Sequence, residues 1–215
     1  DTNNSIPNSS AVLFRPPLSA LPVQYESEPN DTSATATVLS AGLCGSGNIK
    51  AAGDVDFWFT PSNVTGQNLY AMLDSQGGAP SGDTFLRALG DDASTLIALD
   101  DDSGPNTSSA IAGTLAQSGS VFYRVNEDGD DSTMSLYRLI SIIARSSDLD
   151  AEVEPNGTTG TATPITAAQM SGTFSAPSDV DIYSFSATAG DGIAAIVNNN
   201  PDGDGLFTET IVSII

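Results

Sequence analysis

Glu26-Ser27-Glu28-Pro29-Asn30-Asp31-Thr32 returns later in the chain as Glu152-Val153-Glu154-Pro155-Asn156-Gly157-Thr158. Further on, Gly47-Asn48-Ile49 followed by Asp54-Val55-Asp56-Phe57-Trp58 returns as Gly172-Thr173-Phe174 followed by Asp179-Val180-Asp181-Ile182-Tyr183. A third segment, Gly66-Gln67-Asn68-Leu69-Tyr70-Ala71-Met72-Leu73, matches Gly190-Asp191-Gly192-Ile193-Ala194-Ala195-Ile196-Val197. From 26 to 152, 47 to 172 and 66 to 190 the offsets are 126, 125 and 124, a drift of single-residue indels. The chain therefore reads as a tandem repeat with a period near 125.

Inside each repeat the apolar pattern has period two. Asp56-Phe57-Trp58-Phe59, Leu69 to Leu73, Thr95 to Leu99, Val121 to Val125 and Leu136 to Ile143 are short β-branched or aromatic runs punctuated by Gly, Pro, Asn and Asp. Such spacing predicts an all-β sandwich. A short capped turn is expected after Pro29, over Asp31 to Val38. The reading divides the chain into an N-terminal arm (1–24), a first sandwich (25–146), a linker (147–151) and a second sandwich (152–215). The second copy reaches only the counterpart of Leu96 to Leu99, so it is expected to be incomplete at its C-terminus. Either the protein continues, or another chain supplies the missing strands. The arm, with Ala11-Val12-Leu13-Phe14 and Pro16-Pro17, reads either as a tail or as a strand that pairs with an open sheet edge.

Composition limits function. Twenty-seven acidic residues against six basic ones leave a net charge of −21, a field that repels phosphate backbones and argues against nucleic-acid binding. The chain has no His and a single Cys, Cys44. Ser-His-Asp and Cys-His catalysis, His-ligated zinc and intramolecular disulfides are thereby excluded. No apolar run is long enough to span a bilayer. With no catalytic constellation in view, the expectation is a non-enzymatic protein.

Glu-x-Glu-Pro-Asn, Gly-x-Ile before Asp-Val-Asp-aromatic, the Asp100-Asp101-Asp102 loop and Gly119-Ser120-Val121-Phe122-Tyr123-Arg124-Val125 together resemble the bacterial pre-peptidase C-terminal domain. The resemblance covers Tyr25 to about Ala144, and Glu152 to Ile215 as a first half. It implies jelly-roll-like β-sandwiches of secreted or cell-surface bacterial proteins. It extends to the collagen-binding modules of clostridial collagenases, which bind calcium through a Glu-x-Glu-x-Asn-Asp segment and nearby carboxylates.

Alternation along an extended strand puts Glu26, Glu28 and Asn30 on one side, with Asp31 at the end. Calcium takes six to eight oxygens, and Asp54 or Asp56 would add to this set. The matching residues of the second copy are Glu152, Glu154, Asn156, Asp179 and Asp181, with Gly157 in place of Asp31 and so one ligand fewer. The plainer alternative is that Glu-Pro-Asn sets a turn while Asp-x-Asp caps one. Asp100 to Asn106 reads as a solvated loop and Asp128-Gly129-Asp130-Asp131 as a turn. Asn198 to Glu209 approaches the EF-hand pattern, but its flanks are strand-like.

Two functions are consistent with this reading. One is a secreted structural protein that self-associates, polymerising into extracellular filaments when the arm of one subunit supplies strands to the next. The other is a calcium-dependent binding or targeting appendage of a larger secreted hydrolase, with an extracellular protein or polysaccharide as partner.

Overall fold

The computed structural model describes residues 8–13, 21–75, 83–104, 107–145, 147–167, 169–176, 178–189 and 195–198. The EF-hand-like stretch after Asn198, Phe14 and the Pro16-Pro17 pair lie outside them. The chain divides into two compact units, Leu21–Ile143 and a second formed by Ala144–Ile215 together with Asp1–Ala20. The N-terminal segment thus belongs with the second module.

The described residues are all-β, with a single 3-10 turn at Ser33–Thr35. In order, the strands are β1 (Asn8–Leu13), β2 (Val23–Tyr25), β3 (Thr37–Val38), β4 (Cys44–Ile49), β5 (Asp56–Asn63), β6 (Gln67–Ser75), β7 (Thr84–Leu89) and β8 (Leu96–Asp100). They continue with β9 (Ala110–Thr114), β10 (Gly119–Glu127), β11 (Met134–Arg145), β12 (Leu149–Ala151), β13 (Thr163–Pro164), β14 (Gln169–Thr173), β15 (Tyr183–Ser184) and β16 (Ala195–Asn198). Every period-two run named above lies in a strand, save that Thr95 stands one residue before β8. The linker expected at 147–151 is not free chain, because β12 occupies most of it and pairs with β14.

The first module is a sandwich of two five-stranded sheets, β3-β5-β10-β7-β8 and β2-β4-β11-β6-β9. Trp58, Leu86, Tyr123 and Val125 from the first sheet meet Leu69, Leu73, Tyr137 and Leu139 from the second in one continuous buried cluster. Cys44 is buried and free. The 3-10 turn is set by Thr35, whose backbone N–H and hydroxyl both donate to the Thr32 carbonyl. Thr161 and Thr158 repeat both bonds in the second module.

The second module has a four-stranded sheet, β12-β14-β1-β16, and a two-stranded one, β13-β15. β12 runs parallel to β14 as β2 does to β4, and β13 runs parallel to β15 as β3 does to β5. The strand between β14 and β16 comes from the far end of the chain. β1 is antiparallel to both, with Ala11 opposite Met170 on one side and Val197 on the other. In the first module that position, between β4 and β6, is held by β11.

The Gly of each Gly-x-Ile/Phe motif is explained by close approach. A Cβ on Gly47 would collide with the Glu26 carboxylate and the Tyr137 hydroxyl, and one on Gly172 with the Tyr183 hydroxyl and Glu152. We expect Gly47→Ala to lower the unfolding free energy by about 1–3 kcal/mol through overpacking, measured by urea denaturation. An unchanged midpoint would show that the gap is not tightly held.

Candidate metal centres

In the first module the lead segment brings Glu28 together with Asp54 and Asp56. The backbone N–H of Phe57 donates to the Asn30 carbonyl at 2.9 Å, which ties the segment to β5. Glu26 Oε2 accepts the Asn48 N–H at 3.2 Å. Asn30 is fully buried. With its amide oriented to satisfy both neighbours, its Nδ2 donates to Glu28 Oε2 at 2.8 Å and to Asp56 Oδ1 at 3.1 Å. Glu28, Asp54 and Asp56 place one oxygen each within 4.8 Å of one another.

Asp56 has no solvent exposure. It accepts the Tyr137 hydroxyl at 2.6 Å, and that hydroxyl accepts Trp58 Nε1–H at 2.8 Å. Burial pushes the Asp56 carboxyl up to about 9, with Glu26 and Asp54 adding repulsion and the Tyr137 bond opposing it. At neutral pH Asp56 therefore keeps its proton. Asp31, on the exposed rim, is also raised, by desolvation first and then by its hydrogen bond to Asp54.

A cation already sits over this cluster. Lys50 Nζ lies 2.5 Å from Glu28 Oε1 and 3.2 Å from Glu26 Oε1. The Glu28 hydrogen bond is the main cause raising the Lys50 ammonium above its ordinary value. Asp54, meanwhile, is engaged as a turn cap, accepting the Lys50 backbone N–H at 2.6 Å.

The second module differs at one decisive place. The residue matching Lys50 at the 125-residue offset is Ser175. Its N–H and hydroxyl donate to Asp179 Oδ2 at 2.5 and 2.6 Å, so Asp179 repeats the cap, with its carboxyl held below the usual range by those bonds. Asp179 is thus not among the converging ligands. Glu152, Glu154 and Asp181 are, with oxygens within 4.8 Å. Asn156 is fully buried and gives Nδ2 to Glu152 Oε2 at 3.3 Å. Its Oδ1 and one oxygen of Asp181 are enclosed without any partner. Buried oxygens left unpaired are costly, and a hard cation would satisfy them. Asp181 is pushed up to about 6 by burial first and then by the charges of Glu152 and Asp179. The set fits an oxygen-seeking divalent ion. In the first module the Lys50 ammonium already neutralises the matching carboxylates.

Sequence reasoning ranked the second cluster lower because Gly157 replaces Asp31, and it left Lys50 out. The signal was present in the Lys50/Ser175 pairing of the repeats. It also did not connect Tyr137, on the last strand, to the lead segment. A third acidic group, Asp83 with Asp101 and Asp102, involves the loop read as solvated. Asp100 caps that loop by accepting the Ser103 and Ala110 N–H groups at 2.9 and 2.8 Å.

No family model and no curated protein sequence matches the chain. Solved structures do. One is the pre-peptidase C-terminal domain of a collagenase from Bacillus anthracis, at 12% identity and a TM-score of 0.40, covering 54% of this chain and 100% of that one. This is the family that the sequence motifs resemble. A second is PliG from Aeromonas hydrophila, a periplasmic inhibitor of g-type lysozyme, at 13% identity and a TM-score of 0.38, covering 50% of this chain and 96% of that one. Among the described residues no helix is long and apolar enough to cross a membrane.

The folded state holds the Asp56 proton between the ordinary carboxylate value and about 9, while the unfolded chain releases it near the low end. This group's contribution is therefore fully present in acid and is lost as pH rises through that window. Asp56→Asn, neutral throughout, should flatten the decline in stability between about pH 5 and about pH 9 measured by urea midpoints. An equally steep decline in the variant would show that Asp56 is ionised in the fold.

Proposed function

We propose that this chain is a secreted, non-catalytic structural protein that assembles by strand exchange, one copy lending its residues 8–13 to the second module of the next. The observation that carries the reading is the place of β1. It lies antiparallel between β14 and β16, where the first module uses its own β11. The same main-chain bonds form whether the strand comes from the same chain or from a neighbour, which is the condition for domain swapping.

The side chains around the slot support it. In the first module β11 brings the Tyr137 hydroxyl to Asp56. The segment Asn8-Ser9-Ser10-Ala11-Val12-Leu13 has no Tyr to bring. The second module supplies the hydroxyl itself: Tyr183, at the repeat position of Trp58, reaches Glu152 Oε2 at 3.0 Å and Asp181 Oδ2 at 3.4 Å. A Trp at 183 would leave that cluster without a phenol, and a Tyr on the slot strand would compete with Tyr183 for the space beside Gly172. The second module is thus matched to a slot strand that lacks Tyr.

Deleting residues 1–20 should abolish polymers seen by negative-stain electron microscopy, and adding a synthetic peptide of residues 1–20 should cap the growth of intact chains. Polymers of normal length from the deletion variant would sink the strand-exchange reading.

The second reading, a calcium-dependent binding or targeting appendage of a larger secreted hydrolase, is favoured by the unpaired Asn156 and Asp181 oxygens. It takes Glu152, Glu154, Asn156 and Asp181 as calcium ligands. Terbium luminescence sensitised by Tyr183 should then strengthen as pH rises through about 6, where Asp181 loses its proton. Asp181→Asn should remove most of the signal and Asp56→Asn none at neutral pH. Lys50→Ala should add a second, weaker site. A signal unaffected by Asp181→Asn would place the ion elsewhere.

A further inference from the structure

The outer face of the β3-β5-β10-β7-β8 sheet is unlike the rest of this acidic chain. Two of its six basic residues, Arg87 on β7 and Arg124 on β10, are direct cross-strand partners. Like charges placed opposite each other on one sheet face are unfavourable. Neither guanidinium has a carboxylate within ion-pair distance, since among the described residues only Lys50 makes salt bridges. Both instead donate to one amide oxygen, Asn126 Oδ1, at 3.2 Å from Arg87 and 2.5 Å from Arg124. Asp130 lies on the far side of that amide, accepting Asn126 Nδ2–H at 3.0 Å.

The surroundings of the pair are apolar. Phe57 is the register partner of Arg124 on its other side, and Phe59 and Phe122, one row away, stack with centroids 5.6 Å apart. The Arg87 guanidinium lies 4.0 Å over the Phe85 ring. Half of the chain's eight Phe residues therefore share this face with both arginines. All four are half-buried, while Leu99, opposite Arg87 on β8, is 50% exposed. Aromatic residues with Arg at the centre and no Lys are the composition of interface cores, not of solvated faces.

We propose that this face docks a second copy of the chain through its carboxylates. Charge complementarity selects the partner. A copy carries 27 acidic residues against six basic ones, and two adjacent guanidinium forks are suited to bidentate carboxylate recognition. The aromatic rows exclude water around the contact and strengthen it. The proposal shares with strand exchange the premise that copies of the chain meet, but it uses a different surface in the first module.

The test is photo-crosslinking of the full chain with p-benzoylphenylalanine in place of Leu99. Crosslinks between copies are expected, mapping to peptides that contain Asp or Glu. The double variant Arg87→Gln/Arg124→Gln should cut their yield about tenfold, the scale expected for a desolvated charge contact, with an unchanged melting curve. No crosslink between copies, a yield indifferent to the double variant, or capture of other macromolecules alone would overturn the proposal. The two ideas fail separately. If strand exchange is wrong, the Leu99 crosslinks persist in a chain lacking residues 1–20; if the face is wrong, polymers form without them.

Discussion

The hydrogen bond from the Tyr137 hydroxyl to the buried Asp56 carboxyl, at 2.6 Å, is the contact on which the first module is organised. It joins β11 in one sheet to β5 in the other, and Trp58 Nε1–H completes it from within the core. Burying a carboxyl is tolerable here because it stays protonated and partnered. Gly47 is required because the Tyr137 hydroxyl and Glu26 fill the space where a Cβ would stand. The lead segment then folds over the same carboxyl through Asn30. A strand end, a core aromatic and a carboxylate cluster are one hydrogen-bonded unit.

The second module solves the same problem with different residues. The slot between β14 and β16 is filled by β1, which has no tyrosine, and the phenol comes from Tyr183 where the first module has Trp58. The cation of the first cluster is absent as well, since Ser175 replaces Lys50. At repeat positions Trp58 gives way to Tyr183 and Lys50 to Ser175, and in the second module Asn156 Oδ1 and Asp181 Oδ1 are without a partner. The two changes are coupled through one cluster, because Tyr183 touches both Glu152 and Asp181.

Much of this was legible in the sequence because it is local or periodic. The Glu-x-Glu-Pro-Asn segment, the Gly-x-Ile/Phe step and Asp-Val-Asp-aromatic announce themselves twice, and alternation pointed to β5, β6, β8, β10 and β11. Alternation and the resemblance raised Glu26, Glu28, Asn30 and Asp31 with Asp54 or Asp56 as one set, and of these carboxylates Glu28, Asp54 and Asp56 converge. What stayed hidden depends on register between distant strands. Nothing near Arg87 reveals that Arg124 faces it, and nothing near Asp56 points to Tyr137. The reach of Lys50 back to Glu26 and Glu28 needed the β4 turn to be in place. The position of β1 could be raised from its apolar residues, but only the pairing with β14 and β16 assigns it to a slot.

The most direct test of the account is a cross-strand disulfide that reports whose strand fills the slot. Ser10 and Ser171 are register partners, so Ser10→Cys/Ser171→Cys, in a Cys44→Ala background, links the arm to whichever second module it occupies. Oxidation of assembled material followed by denaturing, non-reducing electrophoresis should give a ladder of covalent multimers that collapses to monomer on reduction. Internally linked monomers alone, from material assembled under the same conditions, would contradict strand exchange.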